Sequence, residues 1–230
     1  MRTLFIGDVH GCRAELDELL ARLDWQAGRE RLLLVGDAFA RGPDPLGAWE
    51  AIRQTGALMV LGNHDDRLLQ QLRDQREGRP LELRRPDHRF TFAQLLPVAE
   101  ELLPWLEALP LYICEPGFLL VHAGIDPEGG LAGTTRDQFL AIRTWPPSDE
   151  LEGPRWHDAL PLQERPLIFG HDAPGGLVVK RRPDGRISVL GLDSGCVYGG
   201  PLTGYVLEED RLVQARCRRP GGYYRREDRG

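Results

Sequence analysis

The chain has little of what nucleic-acid-binding, secreted or membrane-spanning proteins require. Its net charge is −6, which argues against general DNA or RNA binding, because such proteins carry a basic surface. The four cysteines are scattered without C-x-x-C spacing, so no disulfide framework is indicated, and we expect reduced, mostly buried thiols. A charged leader and a long apolar segment are both missing. We therefore expect a cytoplasmic protein.

Lysine is almost absent, since Lys180 is the only lysine among 29 basic residues. Arginine is therefore the background cation of this chain. A single arginine at a suitable position says little about anion binding unless a motif surrounds it.

The length of 230 residues and the hydrophobic content of 41% predict one domain with a sizeable core. We place this domain at residues 1–215. Residues 216–230 hold six arginines, two acidic residues, Tyr223 and Tyr224, and we interpret them as a basic, flexible tail. The alternative for this tail is binding of RNA or a nucleotide by its basic and aromatic side chains.

Five short apolar runs, each followed by glycine and polar side chains, dominate the sequence pattern. Their shortness and glycine boundaries predict buried strands. Ligands of open α/β sheets bind beyond the carboxyl ends of the strands, so we expect the polar groups after the five runs to meet in one place. The runs are residues 4–6, 32–35, 58–61, 118–121 and 167–169.

Six side chains at these run ends have metal-binding chemistry. They are Asp, Asn and His without Cys, a set that suits Mn²⁺, Fe or Zn²⁺. A single catalytic zinc takes three protein ligands, so six candidates favour two ions roughly 3.5–4 Å apart that share a carboxylate. Any one of these motifs alone is typical of an ordinary turn, but five in order indicate a site. The candidates are Asp8, His10, Asp37, Asn63, His122 and His171.

The motifs around these residues resemble those of a known family. They read Gly-Asp-Val-His-Gly, Gly-Asp-x-x-x-Arg-Gly-Pro, Gly-Asn-His-Asp, His-Ala-Gly-Ile and Phe-Gly-His. Together they resemble the calcineurin-like metallophosphoesterases, in their phosphoprotein phosphatase branch. Within that branch, residues 3–207 are most similar to bacterial symmetrical diadenosine tetraphosphatases. The resemblance implies a four-layer α/β/β/α sandwich and metal-dependent hydrolysis of a phosphate ester or anhydride.

The resemblance also implies a role for each residue. A hydroxide that bridges two divalent ions attacks phosphorus, and His64 protonates the leaving oxygen. Arg41 matches a phosphate-binding arginine of the family, and Arg143 aligns more loosely with a second one. We expect Mn²⁺, with Fe, Zn and Co as alternatives. The resemblance assigns Asp8 and His10 to the first ion, Asp37 to both ions, and Asn63, His122 and His171 to the second.

Two departures from the family's protein phosphatases bear on the substrate. Ala40 stands where those enzymes carry the aspartate that pairs with the catalytic histidine, and Asp65 stands where they carry glutamate. An alkoxide leaving group needs strong protonation, whereas a nucleoside diphosphate leaves as a phosphate whose second pKa is roughly 6. The missing carboxylate therefore favours anhydride substrates.

Three functions from different classes remain open. The leading one is a hydrolase that cuts nucleoside polyphosphates such as diadenosine tetraphosphate, or similarly capped RNA ends, symmetrically. The second is a protein Ser/Thr or Tyr phosphatase that acts on phosphoproteins. The third is a catalytically idle binding scaffold, which is disfavoured because none of the six candidate ligands is missing.

The rest of the chain predicts supporting structure. We expect His88 and His157 at the surface, and residues 126–165 as an insertion over the site. Residues 73–89 are dense in charge and predict a loop or cap near Asn63. Helices are predicted at residues 15–23, 43–54, 65–73 and 95–109, and further strands at 111–114, 177–180, 187–192 and 202–207.

Overall fold

Two five-stranded sheets lie face to face in the computed structural model, which describes residues 1–148 and 153–224. The first sheet contains β1 (Thr3–Ile6), β2 (Arg31–Leu34), β3 (Leu58–Met59), β9 (Pro201–Val206) and β10 (Arg211–Arg216), in the order β10-β9-β1-β2-β3. The second contains β4 (Tyr112–Glu115), β5 (Phe118–Val121), β6 (Leu167–Phe169), β7 (Val178–Arg181) and β8 (Ile187–Gly191), in the order β4-β5-β6-β8-β7.

Helices cover the outer faces of both sheets. The described residues form α1 (Arg13–Arg22), α2 (Pro45–Thr55), α3 (Asn63–Arg76), α4 (Pro86–Leu95), α5 (Ala99–Glu107), α6 (Gly130–Gly133), α7 (Arg136–Ala141) and α8 (Trp156–Ala159). No helix among them is long and apolar enough to span a bilayer.

Alternation of side chains along the strands creates the layers, because successive residues of a strand point to opposite faces. Leu4 and Ile6 of β1 pack with the helices on one face. Phe5 points to the other face and meets Phe118 of β5, with ring centroids 4.9 Å apart. The two sheets thus share an apolar layer between them, and the predicted four-layer α/β/β/α sandwich is confirmed.

Parallel pairing brings the five predicted strand ends together. In the first sheet, β1 pairs in parallel with β2 and β2 with β3. In the second sheet, β5 pairs in parallel with β6. The polar residues that follow these five strands therefore emerge along one edge of the two-sheet core.

Local capping fixes the helices that flank this edge. Asp44 accepts a hydrogen bond from the Gly47 amide at 2.8 Å, and Pro45 occupies the first turn of α2. Such a cap satisfies amides that the helix itself leaves unpaired. The helix ends at Gly56, whose φ of 64° is left-handed and favours glycine. The loop that carries Arg41 is therefore anchored by the start of α2.

Three segments differ from the sequence-based expectations. The helix expected at 95–109, with interruptions at Pro97 and Pro104, is interrupted at Pro97, where proline breaks helical hydrogen bonding, but α5 (Ala99–Glu107) runs through Pro104. In the expected insertion, Phe139 and Trp156 pack on the outer face of the second sheet and supply its helical layer. Residues 149–152 of that insertion lie outside the described residues.

The third difference concerns the expected tail, whose described part belongs to the packed structure. β10 runs to Arg216, and Tyr224 is only 5% exposed within the core that contains α1 and α2. The amides of Tyr223 and Tyr224 donate hydrogen bonds to the Val197 carbonyl at 2.8 and 3.0 Å. Residues 225–230 of the expected tail lie outside the described residues.

Candidate metal centre

The six candidate ligands form one cluster, which we call the candidate metal centre. The loop after β1 brings Asp8 and His10, and the loop after β2 brings Asp37. Asn63 is the first residue of α3, which follows β3. The second sheet supplies His122 after β5 and His171 after β6. All except Asn63 are buried, with exposures of 6% or less.

Three of these residues adopt backbone conformations that are rare for side-chain-bearing residues. The φ angles are 47° at His10, 51° at Asp37 and 66° at His171, and nearby Arg41 has a φ of 73°. Left-handed geometry is strained in non-glycine residues and tends to occur at functional sites. The sharp turns after the strands direct these side chains toward the crevice.

The cluster divides into two groups that share one carboxylate. Ligand atoms of Asp8, His10 and Asp37 lie within 4.8 Å of one another, and so do those of Asp37, His122 and His171. Asn63 Oδ1 joins the second group, 3.1 Å from His122 Nε2 and 2.9 Å from His171 Nδ1. This is the ligand distribution of two ions that share Asp37.

Electrostatics of the cluster favour cations there. Burial raises the pKa of Asp8 well above its usual range, and the neighbouring charges of Asp193 and Asp37 raise it further. Burial lowers the pKa of His10 to about 3 and also lowers that of His122. Neutral imidazoles and crowded carboxylates are the forms that bind metals, because ligation needs free lone pairs and bound cations offset negative charge.

The hydrogen bonds of His122 point to the same conclusion. Its Nδ1 donates to the Val35 carbonyl at 2.8 Å, so the neutral ring presents the lone pair of Nε2 to the crevice. That lone pair faces two other acceptors, Asn63 Oδ1 at 3.1 Å and Asp37 Oδ1 at 3.6 Å. Three acceptor atoms that face one another suit a cation between them, and the residues therefore fit a metal.

Asp65 positions the shared carboxylate and was not identified from the sequence as functional. Its carboxylate accepts hydrogen bonds from the amides of Asp37 at 2.6 Å, Ala38 at 3.1 Å and Gly62 at 3.2 Å. The His64 amide in turn donates to Asp37 Oδ1 at 2.9 Å. Burial and the charge of Asp37 raise the pKa of Asp65 to about 8.

Asp193 is a second carboxylate that sequence reasoning did not single out. It lies just after β8, and burial raises its pKa to about 6. Its charge acts on Asp8 more strongly than any other neighbouring charge does. The sequence around Asp193, an apolar run followed by Asp-Ser-Gly, has the same pattern as the five candidate ligand motifs.

Arg41 lies at the edge of the candidate metal centre. Its Nη1 is 3.4 Å from His10 Nε2, and its guanidinium carbon lies 5.6 Å from the Tyr198 ring centroid and 5.5 Å from that of Tyr224. Such cation–π contacts hold a guanidinium in place without using its hydrogen-bond donors. The donors of Arg41 thus stay available to an anion.

Arg143 approaches the opposite side of the centre. Its Nη2 donates to the His171 carbonyl at 3.4 Å, and its Nε lies 3.8 Å from Asp172 Oδ1. Arg155, which the sequence did not mark, forms a second ion pair with Asp172 at 3.0 Å. Both candidate arginines therefore lie next to candidate ligands.

His64 lies beside the centre with a histidine neighbour that was expected elsewhere. Its ring centroid is 5.3 Å from that of His10 and 6.3 Å from that of His88. His88 and His157 were expected at the surface, yet they are 5% and 6% exposed. The expectation was wrong because His88 lies on α4 with its ring toward His64, and because His157 packs against Trp156 and Phe169.

Fewer of the four cysteines are buried than expected. Cys12 and Cys196 are buried, whereas Cys114 is exposed and Cys217 is partly exposed. Cys114 lies on β4, an edge strand with one face open to solvent.

A family model matches most of the chain. The model for the calcineurin-like phosphoesterases matches residues 1–183. This chain belongs to that family. It is accordingly a metal-dependent hydrolase, and its two metal-binding groups agree with the family's dinuclear centre.

Two relatives match over nearly their whole length. The chain is 37% identical to the "Bis(5'-nucleosyl)-tetraphosphatase, symmetrical" of Proteus mirabilis, covering 92% of this chain and 96% of that protein. It is 31% identical to the protein of the same name from Chromohalobacter salexigens, covering 88% and 93%.

Solved structures give the same picture. A putative diadenosine tetraphosphatase superposes with a TM-score of 0.75 and 28% identity over 94% of this chain and 93% of that one. A protein serine/threonine phosphatase from Saccharomyces cerevisiae superposes with a TM-score of 0.58 at 15% identity, covering 94% and 79%. The comparison with the serine/threonine phosphatase supports a shared fold and nothing further.

Proposed function

We propose that this phosphohydrolase cleaves bis(5′-nucleosyl) tetraphosphates symmetrically, converting diadenosine tetraphosphate and water into two ADP. The observation that carries the proposal is that two groups of candidate ligands share Asp37. The relatives that match over nearly their whole length are named as symmetrical bis(5′-nucleosyl)-tetraphosphatases, which supports this substrate. A 5′-capped RNA end contains the same polyphosphate linkage and is the second substrate to test.

The proposed reaction depends on two ions and few protein groups besides. Asp8 and His10 would hold one ion, Asn63, His122 and His171 would hold the other, and Asp37 would be shared by both. When bound, the ions would supply a nucleophilic water at neutral pH and offset charge on the phosphoryl oxygens. Mn²⁺ is the ion we propose, because oxygen and imidazole ligands without thiolate suit it.

Side chains of the protein orient the substrate and receive the leaving group. The water oxygen bonds to an inner phosphorus, and the bond from that phosphorus to the central bridging oxygen breaks. The departing nucleoside diphosphate takes the electron pair, and in this proposal His64 donates a proton to that oxygen. Arg41 and Arg143 bind the non-bridging oxygens from two sides.

The environment of His64 supports an anhydride substrate. Ala40 is buried beside the Arg41 loop, and no carboxylate of the described residues is hydrogen-bonded to the His64 ring. A histidine without such a partner is poorly suited to expel an alkoxide. It is adequate for a nucleoside diphosphate, which is a good leaving group.

Product analysis tests the proposal. Purified protein with Mn²⁺ is given diadenosine tetraphosphate or a phosphoserine peptide, and products are separated by chromatography, with a chelator as control. We expect ADP as the sole nucleotide product and little phosphate from the peptide. AMP plus ATP, or turnover of the peptide alone, would contradict the proposal.

A further inference from the structure

A cleft opens next to the candidate metal centre and takes no part in metal binding. Its volume is about 660 Å³, within the range of small-molecule sites. One wall comes from the start of α4 and the other from residues 219–224, with Arg41 and the two residues after it between them. We call it the Arg41 cleft. Arg41 Nη1 also lies 3.4 Å from His10 Nε2, so Arg41 borders both the cleft and the centre.

The wall formed by residues 219–224 is fixed before any ligand binds. The Tyr223 hydroxyl donates to Glu15 Oε1 at 2.8 Å, and Glu15 is fully buried. Gly222 has a φ of 82° and lies so close to the Tyr198 backbone that a side chain there would collide with it. A preformed wall lowers the entropic cost of binding.

The charge of the cleft favours an anion with several phosphates. Four arginines line it, and Asp87 is the only acidic residue among its lining groups. Arg219 has neither a salt bridge nor a side-chain hydrogen bond within residues 1–148 and 153–224. Guanidinium groups bind phosphate oxygens in pairs of hydrogen bonds. The other three are Arg41, Arg84 and Arg89.

Aromatic surface lies among these charges. Phe90 of α4 is 43% exposed, which is unusual for so large an apolar side chain, and it lines the cleft together with the Tyr223 ring. Arginines interleaved with aromatic rings are typical of surfaces on which nucleobases stack. A nucleotide uses both features at once, because it joins phosphates to a flat aromatic base.

We propose that the Arg41 cleft binds a nucleoside diphosphate unit of the substrate, with the base on Phe90 and Tyr223. The phosphates extend past Arg219 to Arg41 and the metal centre. This inference rests on the proposed function and adds the recognition of the nucleoside to it. It makes the segment that follows β10 a determinant of specificity.

Substitutions on each wall test the proposal. We compare Phe90→Ala and Arg219→Gln with wild type on diadenosine tetraphosphate and on p-nitrophenyl phosphate, which has no nucleoside. The ratio of kcat/KM for the two substrates should fall about tenfold for each variant, mainly through KM for the nucleotide, because Phe90→Ala removes a stacking surface for the base and Arg219→Gln removes a charged phosphate contact. Phe90→Tyr should restore the ratio.

Two controls accompany these variants. Arg186→Gln removes a guanidinium that is 80% exposed at the distant β7–β8 turn, and it should leave both activities unchanged. Melting temperatures should match wild type, because Phe90 and Arg219 are exposed. If both variants keep the wild-type ratio, the proposal for the cleft is wrong even though the hydrolase function stands.

Inhibition by ADP separates this proposal from the proposed function. ADP should inhibit p-nitrophenyl phosphate hydrolysis at least tenfold more strongly than inorganic phosphate, and Phe90→Ala should remove most of that advantage. If wild type leaves diadenosine tetraphosphate intact, the proposed function fails, and selective inhibition by ADP still supports the cleft. Equal inhibition by ADP and phosphate would overturn the cleft proposal.

Discussion

The candidate metal centre and the Arg41 cleft are neighbours with opposite construction. The centre consists of buried side chains at the ends of strands, backed by the apolar layer between the two sheets. The cleft is lined mostly by exposed side chains, from the start of α4, the Arg41 loop and residues after β10. The difference teaches that the rigid sheets determine the reaction, whereas peripheral segments determine which phosphate compound reaches it.

The strongest test of this division removes the shared carboxylate. Asp37→Asn should abolish hydrolysis of every phosphate substrate and lower the metal content of the protein, because both ions lose a ligand together. Elemental analysis and assays on two substrates measure this, with the surface substitution Asp17→Asn as the matched control. An active Asp37→Asn protein that retains two metals per chain would break the dinuclear account.

The loss of activity caused by a second substitution, at His64, should depend on the substrate. His64→Ala should slow the hydrolysis of an alkyl phosphate by about 10²–10⁴-fold. It should slow the hydrolysis of a phosphoanhydride much less, because only the alkoxide leaving group needs strong protonation. Ala40→Asp should raise alkyl phosphatase activity relative to anhydride cleavage, and Ala40→Asn serves as its uncharged control. Equal losses on both substrates for His64→Ala would show that leaving-group protonation does not explain Ala40.

Arg41 stands where the two regions meet, so its loss should affect both. Arg41→Ala should lower kcat/KM by about 10²–10³-fold, since donors aimed at developing negative charge contribute about that much. Arg41→Lys should recover only part, because an ammonium cannot make the forked contact. Arg53→Ala, at an exposed helix position, is the control. If Arg41→Ala had wild-type kinetics on all substrates, Arg41 would have no role in binding phosphate.

The smallest effect is on stability and concerns the centre alone. Mn²⁺ at a hundred times its Kd should stabilise the fold by about 2.7 kcal/mol, which corresponds to a rise in Tm of about 5–10 °C. The cause is relief of repulsion among the buried carboxylates around Asp8. Scanning calorimetry with and without Mn²⁺ measures this. A similar rise in Asp37→Asn would show that the ion binds elsewhere.

The sequence predicted that the six candidate side chains meet in one place because its signals are local. An apolar run, a glycine and a candidate ligand adjoin one another at each strand end, and parallel pairing then forces the ends together. The same reasoning did not select Asp65, whose contribution depends on contacts with the Asp37 loop rather than on its own neighbours in sequence. Asp193 was missed although it also follows a strand end.

The cleft could not be predicted in the same way. Residues 216–224 looked like a tail because arginine and glycine dominate them, yet Tyr223 bonds to Glu15 and Tyr224 packs beside Arg41, more than 180 positions away. β10 was also not predicted, since an edge strand with one open face tolerates the arginines at both its ends. Contacts between such distant segments leave no periodic pattern.

The measurement that tests the central claim most directly is anomalous diffraction from crystals soaked in MnCl₂. The account predicts two peaks that flank the Asp37 carboxylate, one beside Asp8 and His10. The other should lie beside the His122 and His171 rings, where three acceptors converge. A single peak, or peaks that do not share Asp37 as a ligand, would contradict the dinuclear centre on which the proposed function depends.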